Sequence, residues 1–172
     1  VGFDALPSLA PRMRAFGWHA ELWAPAERII ADAALLRSLG MPVVLGHLGG
    51  MAAAAGIGDP VNRMLIACVA DGDFWVKLTV CRASQAWPDY EDARPLHAAL
   101  IAAAPSRMLW GSDWPHVRMG DRTPAVGHLL DLFDEWIDHD EAVRDAILVR
   151  NPQAFYGFAP IDRERSSWTV SA

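Results

Sequence analysis

Apolar and polar residues alternate along this chain in blocks whose lengths predict strands followed by helices. Four short, mostly apolar runs predict buried strands at Trp18–Trp23, Pro42–His47, Phe74–Val80 and Arg107–Trp110. Longer stretches with apolar residues at helical spacing predict helices over 8–14, 25–39, 60–70, 91–104, 124–137 and 140–149. This order is typical of an α/β protein in which helices connect the strands of a parallel sheet.

Polar residues at the start of four of these helices predict where each one begins, and Ser8 is expected to cap the first. Asp59 and Asp140 are expected to cap their helices by accepting hydrogen bonds from backbone amides of the first turn. Thr123 is expected to do the same before Pro124, because proline is favoured at the first helical position. These caps predict where the loops that precede the helices end.

Composition and charge restrict the class of protein. The chain has 172 residues, 52% of them hydrophobic, which is enough for one domain with a substantial core. Its net charge of -6 and its scattered arginines argue against nucleic acid as a partner. No apolar run is long enough to span a membrane. Cys68 and Cys81 lack disulfide or C-x-x-C spacing, which favours a reducing, cytoplasmic location.

Three residues with catalytic potential follow the carboxyl ends of successive predicted strands. His47, Arg82 and Asp113 lie 35 and then 31 residues apart, about the length of one strand, one helix and two loops. Because the carboxyl ends of parallel strands meet at one edge of a sheet, we expect these side chains to lie close together. An Asp can activate water as a general base, a His can polarise a carbonyl or bind a metal, and an Arg can hold a carboxylate. The group suits hydrolysis of a small anionic ester, lactone or amide.

Each of these residues also has a structural interpretation. Asp113 can stabilise its own turn, His47 can be a hydrogen-bonded core histidine, and Arg82 can be a solvated loop residue. The glycines that flank His47 favour function, since they let a ligand approach the backbone closely. The neighbours of Asp113, Trp114 and His116, favour function as well, because a simple surface loop rarely gathers such residue types.

Residues on two predicted strands extend the candidate site. If Leu22 faces the helices, alternation places His19, Glu21 and Trp23 on the opposite face of the sheet. Lys77 has the same ambiguity, and Glu21 is its candidate partner because a buried lysine needs one. The histidines in or beside helical stretches are expected on the surface: His97, His128 and His139.

Five sequence elements occur in one order along the chain: Gly17–Leu22, Val43–Gly49, Val76–Leu78 with Arg82, Trp110–His116, and Asn151–Pro152 with Phe155–Phe158. In this order they resemble the amidohydrolase-related family, which includes the 2-pyrone-4,6-dicarboxylate lactonases. The Gly-Ser-Asp-Trp-Pro-His sequence at 111–116 is the most specific element. The resemblance covers nearly all of residues 1–158, and the mostly polar residues 159–172 are expected to form a loose tail.

The resemblance implies a (β/α)8 TIM barrel that hydrolyses, decarboxylates or hydrates small, carboxylate-bearing ring compounds. It implies that Asp113 activates water, that His47 supports it or contacts the substrate, and that Arg82 binds a substrate carboxylate. Further substrate contacts are expected from Trp23, His116 and His19. Many relatives bind a divalent metal such as zinc, whereas the pyrone-dicarboxylate lactonases work without one. The cofactor is therefore left open, and no metal ligand is assigned.

The sequence departs from the family in two respects. The His-x-His pair of the family's first strand is absent from this sequence, and Gly46 precedes His47 where the family commonly has Asp. We therefore expect an incomplete barrel, in which residues 1–158 are its C-terminal portion and Val1–Phe3 is the remnant of an earlier strand. Such a portion exposes two strand edges and is expected to be a poor catalyst alone.

Two classes of function are compatible with these features. The first is a lactonase-like hydrolase of the amidohydrolase superfamily that acts on a small carboxylate-bearing lactone or ring-derived acid. A decarboxylase or hydratase on the same barrel is the alternative within that class. The second is an inactive fragment or assembly module, which is expected to form a homo-oligomer through its open strand edges.

Overall fold

Four parallel strands form the central sheet in the computed structural model, which describes residues 2–159. The strands are β1 (Ala20–Leu22), β2 (Val43–Leu45), β3 (Phe74–Lys77) and β4 (Met108–Leu109), and they pair in that order. Ala20, Val43 and Phe74 are in register across the first three strands. Parallel neighbours require a crossover connection after each strand. The α/β class expected from the sequence is therefore confirmed.

Some of the helices make these connections, while others precede β1 or follow β4. The helices are α1 (Leu6–Ala15), α2 (Ala26–Ala31), α3 (Ala33–Ser38), α4 (Pro60–Ala70), α5 (Arg94–Ala103), α6 (Val126–Trp136), α7 (Glu141–Asp145) and α8 (Asn151–Tyr156). A π-helical turn at Ala146–Arg150 joins α7 to α8. The single helix expected over 25–39 is divided at Asp32, where α2 ends and α3 begins. Within residues 2–159, no helix has the length and apolar character needed to cross a membrane.

The two faces of the sheet contact different parts of the molecule. Side chains on one face are fully buried in the core that the sheet shares with the helices: Leu45, Val76 and Met108. Side chains that alternate with them form a smaller cluster on the other side, here called the inner face: Val44, Trp75 and Leu109. Phe155 of α8 packs against this cluster, with its ring centroid 4.7 Å from that of Trp75. Register places Glu21 beside Val44, so Glu21 belongs to the inner face as well.

Two of the four predicted helix caps are present. Ser8 does not cap α1, because it lies inside the helix and its hydroxyl donates to the carbonyl of Ala5. Asp59 and Asp140 each accept two hydrogen bonds from backbone amides of the first turn, at 2.8 to 3.1 Å. Thr123 does not cap α6, because its hydroxyl donates to the carbonyl of Gly120 and the helix begins at Val126. The prediction for Thr123 is therefore wrong, and the helix begins two residues after the expected Pro124.

The amino-terminal residues also differ from the expectation. Phe3 lies in a 3-10 helix, Phe3–Ala5, so the strand remnant expected at Val1–Phe3 is wrong at Phe3. The Phe3 side chain instead reaches the core, and the Arg28 guanidinium lies 5.3 Å from its ring. Val1 and residues 160–172 of the loose tail expected at 159–172 lie outside the described residues.

His97 is buried, which contradicts the surface position expected for it. Its side chain lies on α5 against the rings of Phe133 and Trp136, with centroid distances of 5.8 and 5.3 Å. Since Phe133 and Trp136 belong to α6, this helix covers the side of α5 on which His97 lies, whereas Pro95, Ala98 and Ala102 of α5 are exposed. Neither ring nitrogen of His97 has a hydrogen-bond partner within residues 2–159. Burial lowers the pKa of His97 to about 4.

The buried imidazole predicts a loss of stability in mild acid. In the unfolded chain His97 takes up a proton below pH 6.5, whereas in the folded chain it stays neutral until about pH 4. Its contribution to stability is thus present above pH 6.5 and is lost as the pH falls toward 4. We expect His97 alone to lower the free energy of unfolding by about 2 kcal/mol between pH 7 and pH 5.

Urea unfolding of His97→Leu at the two pH values measures this effect. The variant should lose about 2 kcal/mol less than the parent over this interval. His128→Leu serves as the control, because the His128 side chain is 39% exposed. We expect this variant to keep a pH dependence close to that of the parent. Equal pH dependence in the parent and in His97→Leu would show that His97 is already protonated at pH 5.

Candidate active site

The loops that follow β2, β3 and β4 bring His47, Arg82 and Asp113 to one edge of the sheet. Asp113 lies at the centre, where Nε of Arg82 donates to Oδ2 at 2.6 Å. Nε2 of His47 lies 3.8 Å from Oδ1 of the same carboxylate. All three side chains are less than one-fifth exposed. The structure thus brings together the three residues whose spacing predicted a common site.

The backbone at two of these residues lies in the left-handed region. φ is 51° at His47 and 69° at Asp113, a conformation that few residues other than Gly, Asn and Asp adopt. Gly49 and Gly50 continue it after His47. Each non-glycine residue in such a conformation costs on the order of 1–3 kcal/mol. The surrounding fold offsets this cost at the positions from which the two side chains meet.

Burial determines the protonation of His47. It lowers the pKa of His47 below the usual 6.5, and this effect outweighs the opposing attraction of the Asp113 carboxylate. Nδ1 is buried and has no hydrogen-bond partner among the described residues. The ring is therefore neutral at pH 7, with one nitrogen that donates and one that accepts.

Arg82 connects Asp113 to the loop that follows it. While Nε bonds to the Asp113 carboxylate, Nη2 donates to the carbonyl of Val117 at 2.9 Å. The guanidinium carbon lies 5.4 Å from the centre of the Trp23 ring, within the range of a cation–π contact. Within residues 2–159, Nη1 has no protein acceptor. Arg82 can therefore hold Asp113 and still donate to a ligand.

Two open cavities meet at His47. One, of about 370 Å³, is lined by Trp23, His47 and Arg82 among others. The other, of about 260 Å³, is lined by His47 and Asp113 together with Glu21 and Lys77 of the inner face. Trp23 is 67% exposed and its ring lies 4.9 Å from that of His47, so its indole forms an apolar wall of the first cavity. Each cavity is large enough for part of a small ring compound.

Two residues that the sequence assigned to the site lie elsewhere. His19 precedes β1, at the opposite end of the strand from the site, and packs against the rings of Phe155 and Tyr156 at 4.9 and 5.8 Å. His116 is buried in its own loop, with Nε2 2.9 Å from the carbonyl oxygen of Ser112. Neither histidine lines either cavity. The alternation of side chains along the strand correctly placed His19 on the inner face. It did not indicate at which end of the strand His19 would lie.

Cys81 is a neighbour of Asp113 that the sequence reasoning did not assign to the site. Its sulfur lies 3.8 Å from Oδ2 of Asp113 and 4.0 Å from the carbonyl of Ser112. Burial raises the pKa of Cys81 to about 11, so at pH 7 it is a thiol that can donate weakly to these oxygens. The sequence feature that could have indicated Cys81 is its position directly before Arg82, because consecutive residues of a loop at a strand end lie near the same site.

The described residues do not complete a metal site. Within residues 2–159 no group of three or more His, Cys, Asp or Glu side chains is arranged to hold a metal ion. His47 and Asp113 together supply two ligand side chains, fewer than the three protein ligands typical of a catalytic zinc. No step of the chemistry below is assigned to a metal.

Comparison with known proteins relates the chain to enzymes that act on lactones. It is 35% identical over 153 residues to 4-sulfomuconolactone hydrolase from Rhizobium radiobacter, which covers 84% of this chain and 51% of the relative. It is 26% identical over 163 residues to 2-pyrone-4,6-dicarboxylate hydrolase from Comamonas testosteroni, covering 89% of this chain and 53% of the relative. The chain therefore spans about half the length of the curated relatives it matches.

A solved structure from Agrobacterium tumefaciens shares the fold with a TM-score of 0.78 and 26% identity, over 94% of this chain and 58% of the solved one. The four-stranded sheet thus corresponds to part of an amidohydrolase TIM barrel, as the sequence predicted. The family model for amidohydrolases matches residues 3–158, which include all four strands and every residue of the candidate site. The chain belongs to the amidohydrolase family.

Proposed function

We propose that this chain provides catalytic residues of a lactonase-like hydrolase that acts on a small lactone or ring-derived acid bearing a carboxylate. The observation that carries the proposal is the setting of Asp113, whose Oδ2 bonds to Arg82 while Oδ1 faces His47 across 3.8 Å. Two relatives of the chain, 4-sulfomuconolactone hydrolase and 2-pyrone-4,6-dicarboxylate hydrolase, are hydrolases of lactone or pyrone rings, which supports a cyclic ester as the bond that is broken.

Asp113 is the general base in this proposal. Its Oδ1 takes a proton from water, and the water oxygen attacks the acyl carbon of the ring. The bond between the acyl carbon and the ring oxygen then breaks, and the ring oxygen leaves with the proton that Asp113 returns. Because Arg82 holds Oδ2 at 2.6 Å, the carboxylate cannot rotate freely and Oδ1 stays directed at the space beside His47.

His47 and Arg82 orient the substrate. The neutral imidazole of His47 has one N–H donor, which can polarise the acyl carbonyl without carrying a charge of its own. Arg82 lines the cavity that Trp23 closes on its apolar side, and we assign its unpaired Nη1 to a carboxylate of the substrate. A planar ring can lie against the Trp23 indole while its acid group reaches Arg82.

The proposed ligand and the proposed cellular location of the protein follow from its net charge and from its two free cysteines. A small carboxylate is the partner that the site requires, and the net charge of -6 disfavours nucleic acid. Cys68 and Cys81 are both free thiols, and unpaired cysteines of this kind persist in a reducing compartment. We therefore place the protein in the cytoplasm.

Incubation with a carboxylated lactone and with its uncharged methyl ester tests the proposal. We expect the carboxylate form to gain one water and open its ring, followed by mass spectrometry and by NMR of the product. The methyl ester should show a KM about tenfold higher, because its uncharged ester group cannot form the charge-assisted hydrogen bond that a carboxylate accepts from Nη1 of Arg82. Release of carbon dioxide would instead identify a decarboxylase, and stoichiometric zinc or manganese in the active protein would favour a metal-dependent reaction.

A further inference from the structure

His116 is buried in the loop that carries Asp113 and lies outside both cavities. Its side chain is 5% exposed. A buried imidazole loses its hydrogen bonds to water, so its polar atoms need partners within the fold. The partners of His116 are backbone groups of Ser112 and Asp113. The histidine of the 111–116 sequence thus contacts the backbone from which its aspartate projects.

Two hydrogen bonds from His116 reach the carbonyl oxygens on either side of the Asp113 Cα. Nε2 of the ring lies 2.9 Å from the carbonyl oxygen of Ser112, and the backbone N–H of His116 donates to the carbonyl oxygen of Asp113 at 2.7 Å. Because a carbonyl oxygen only accepts, Nε2 is the donor. Each carbonyl belongs to one of the two planar peptide groups whose orientations define φ and ψ of Asp113. His116 therefore restrains both backbone angles of Asp113.

The conformation that His116 restrains is a strained one. Asp113 has a φ of 69° and His116 itself has a φ of 56°, both in the left-handed region. Such a conformation persists only where the surrounding contacts determine it. The other bonds to Ser112 are longer, since the Trp114 amide donates to its hydroxyl at 3.2 Å and the Cys81 sulfur lies 4.0 Å from its carbonyl oxygen. The bond from the His116 ring is therefore the strongest hold on the peptide that precedes Asp113.

Arg82 restrains the side chain of the same aspartate. Its Nε donates to Oδ2 of Asp113 at 2.6 Å, while its Nη2 donates to the carbonyl of Val117, directly after His116, at 2.9 Å. His116 thus fixes the backbone from which the carboxylate projects, and Arg82 fixes the rotation of the carboxylate. Together they leave Oδ1 facing Nε2 of His47 at 3.8 Å.

We infer that His116 is a positioning residue for Asp113, whose ring holds the Ser112 carbonyl so that Oδ1 stays directed at the space beside His47. The inference rests on the proposed function and adds to it a residue that acts through the general base. His116 lines neither cavity, so its loss should lower kcat and leave KM nearly unchanged. A misplacement of about 1 Å in a reacting group can cost about 10²-fold in rate.

Two substitutions of His116 separate the ring hydrogen bond from the backbone conformation. Asparagine tolerates the left-handed region, but its amide nitrogen is too close to the backbone to replace Nε2. Glutamine places an amide N–H near the position of Nε2. We expect His116→Asn to lower kcat for lactone opening about 10- to 100-fold with KM within about threefold of the parent. His116→Gln should restore kcat to within about threefold of the parent.

His139→Asn is the matched control for these variants. His139 has a φ of 57°, and its side chain is 70% exposed and lines neither cavity. The same replacement in the same backbone conformation should therefore leave kcat unchanged.

Hydrogen–deuterium exchange followed by mass spectrometry examines the loop without reference to activity. Backbone amides within residues 111–118 should exchange faster in His116→Asn than in the parent or in His116→Gln. Exchange in the rest of the chain should stay the same. This pattern would locate the effect of the ring in the loop that carries Asp113.

Four outcomes would overturn the inference. Unchanged exchange within 111–118 in His116→Asn would show that the ring does not hold the loop. Faster exchange at the parent's kcat would show that the direction of Asp113 does not depend on it. A raised KM at unchanged kcat would make His116 a substrate contact, and equal losses in the Asn and Gln variants would exclude the hydrogen bond as the cause. If the parent opens no lactone, the proposed function fails, while the exchange data still decide whether His116 holds the backbone of Asp113.

Discussion

Asp113→Asn should lower kcat for lactone opening about 10³-fold while the protein remains folded. The asparagine keeps the size of the side chain and an oxygen that can accept from Nε of Arg82, but its amide cannot take a proton from water. Asparagine also tolerates the left-handed backbone at this position, where φ is 69°. Alanine would add backbone strain to the loss of the carboxylate, so asparagine isolates the chemistry.

Asp138→Asn is the matched control for this variant. Asp138 is exposed and has a left-handed backbone as well, with φ at 53°. It therefore undergoes the same chemical change in the same conformation, away from both cavities. Steady-state rates and thermal unfolding of the two variants give the comparison. A kcat within about threefold of the parent for Asp113→Asn would remove Asp113 from the role of general base.

The sequence was sufficient for the order of elements and for the edge at which the site lies. Strand-end positions are set by chain direction, so His47, Arg82 and Asp113 had to meet once the strands were parallel. Asp59 and Asp140 were equally predictable as caps, because capping depends on amides only two or three residues away. Local rules and strand direction account for these successes.

Other features depend on contacts that no local pattern encodes. His97 lies on a helix that a second helix covers, and only the packing of α6 shows that its polar residue is enclosed. His19 lies on the predicted face but at the far end of its strand, because alternation gives the side of a residue and not its depth. The sequence also did not predict the hydrogen bond between Arg82 and Asp113, because their spacing indicates only that both lie at one edge of the sheet.

Mutual pairing of charges is the organising feature of this site. Arg82 with Asp113 and Lys77 with Glu21 form two neutral pairs, and the buried His47 stays uncharged between them. A site of this kind attracts an anion only where a cation can be shared or released from its partner.

Gly50→Ala should unfold or distort the site more than any other small substitution in its loops. A Cβ at this position would lie 1.9 Å from the carbonyl oxygen of Ala24 and 2.9 Å from its carbon. Both are backbone atoms, so the segment that carries Trp23 must move. We expect the free energy of unfolding to fall by about 3 kcal/mol or more and kcat/KM to fall about tenfold as Trp23 leaves His47.

Gly157→Ala separates this clash from the cost of the backbone conformation. φ is 71° at Gly157 and 69° at Gly50, but a Cβ at Gly157 would have no atom within 4 Å. The control therefore carries only the left-handed penalty of about 1–2 kcal/mol, and it should keep the parent's activity. Urea unfolding and lactone hydrolysis measure both variants. Equal losses of stability would mean that the Ala24 segment yields without cost. An unchanged kcat/KM in Gly50→Ala would mean that the contact between Trp23 and His47 does not depend on a glycine at position 50.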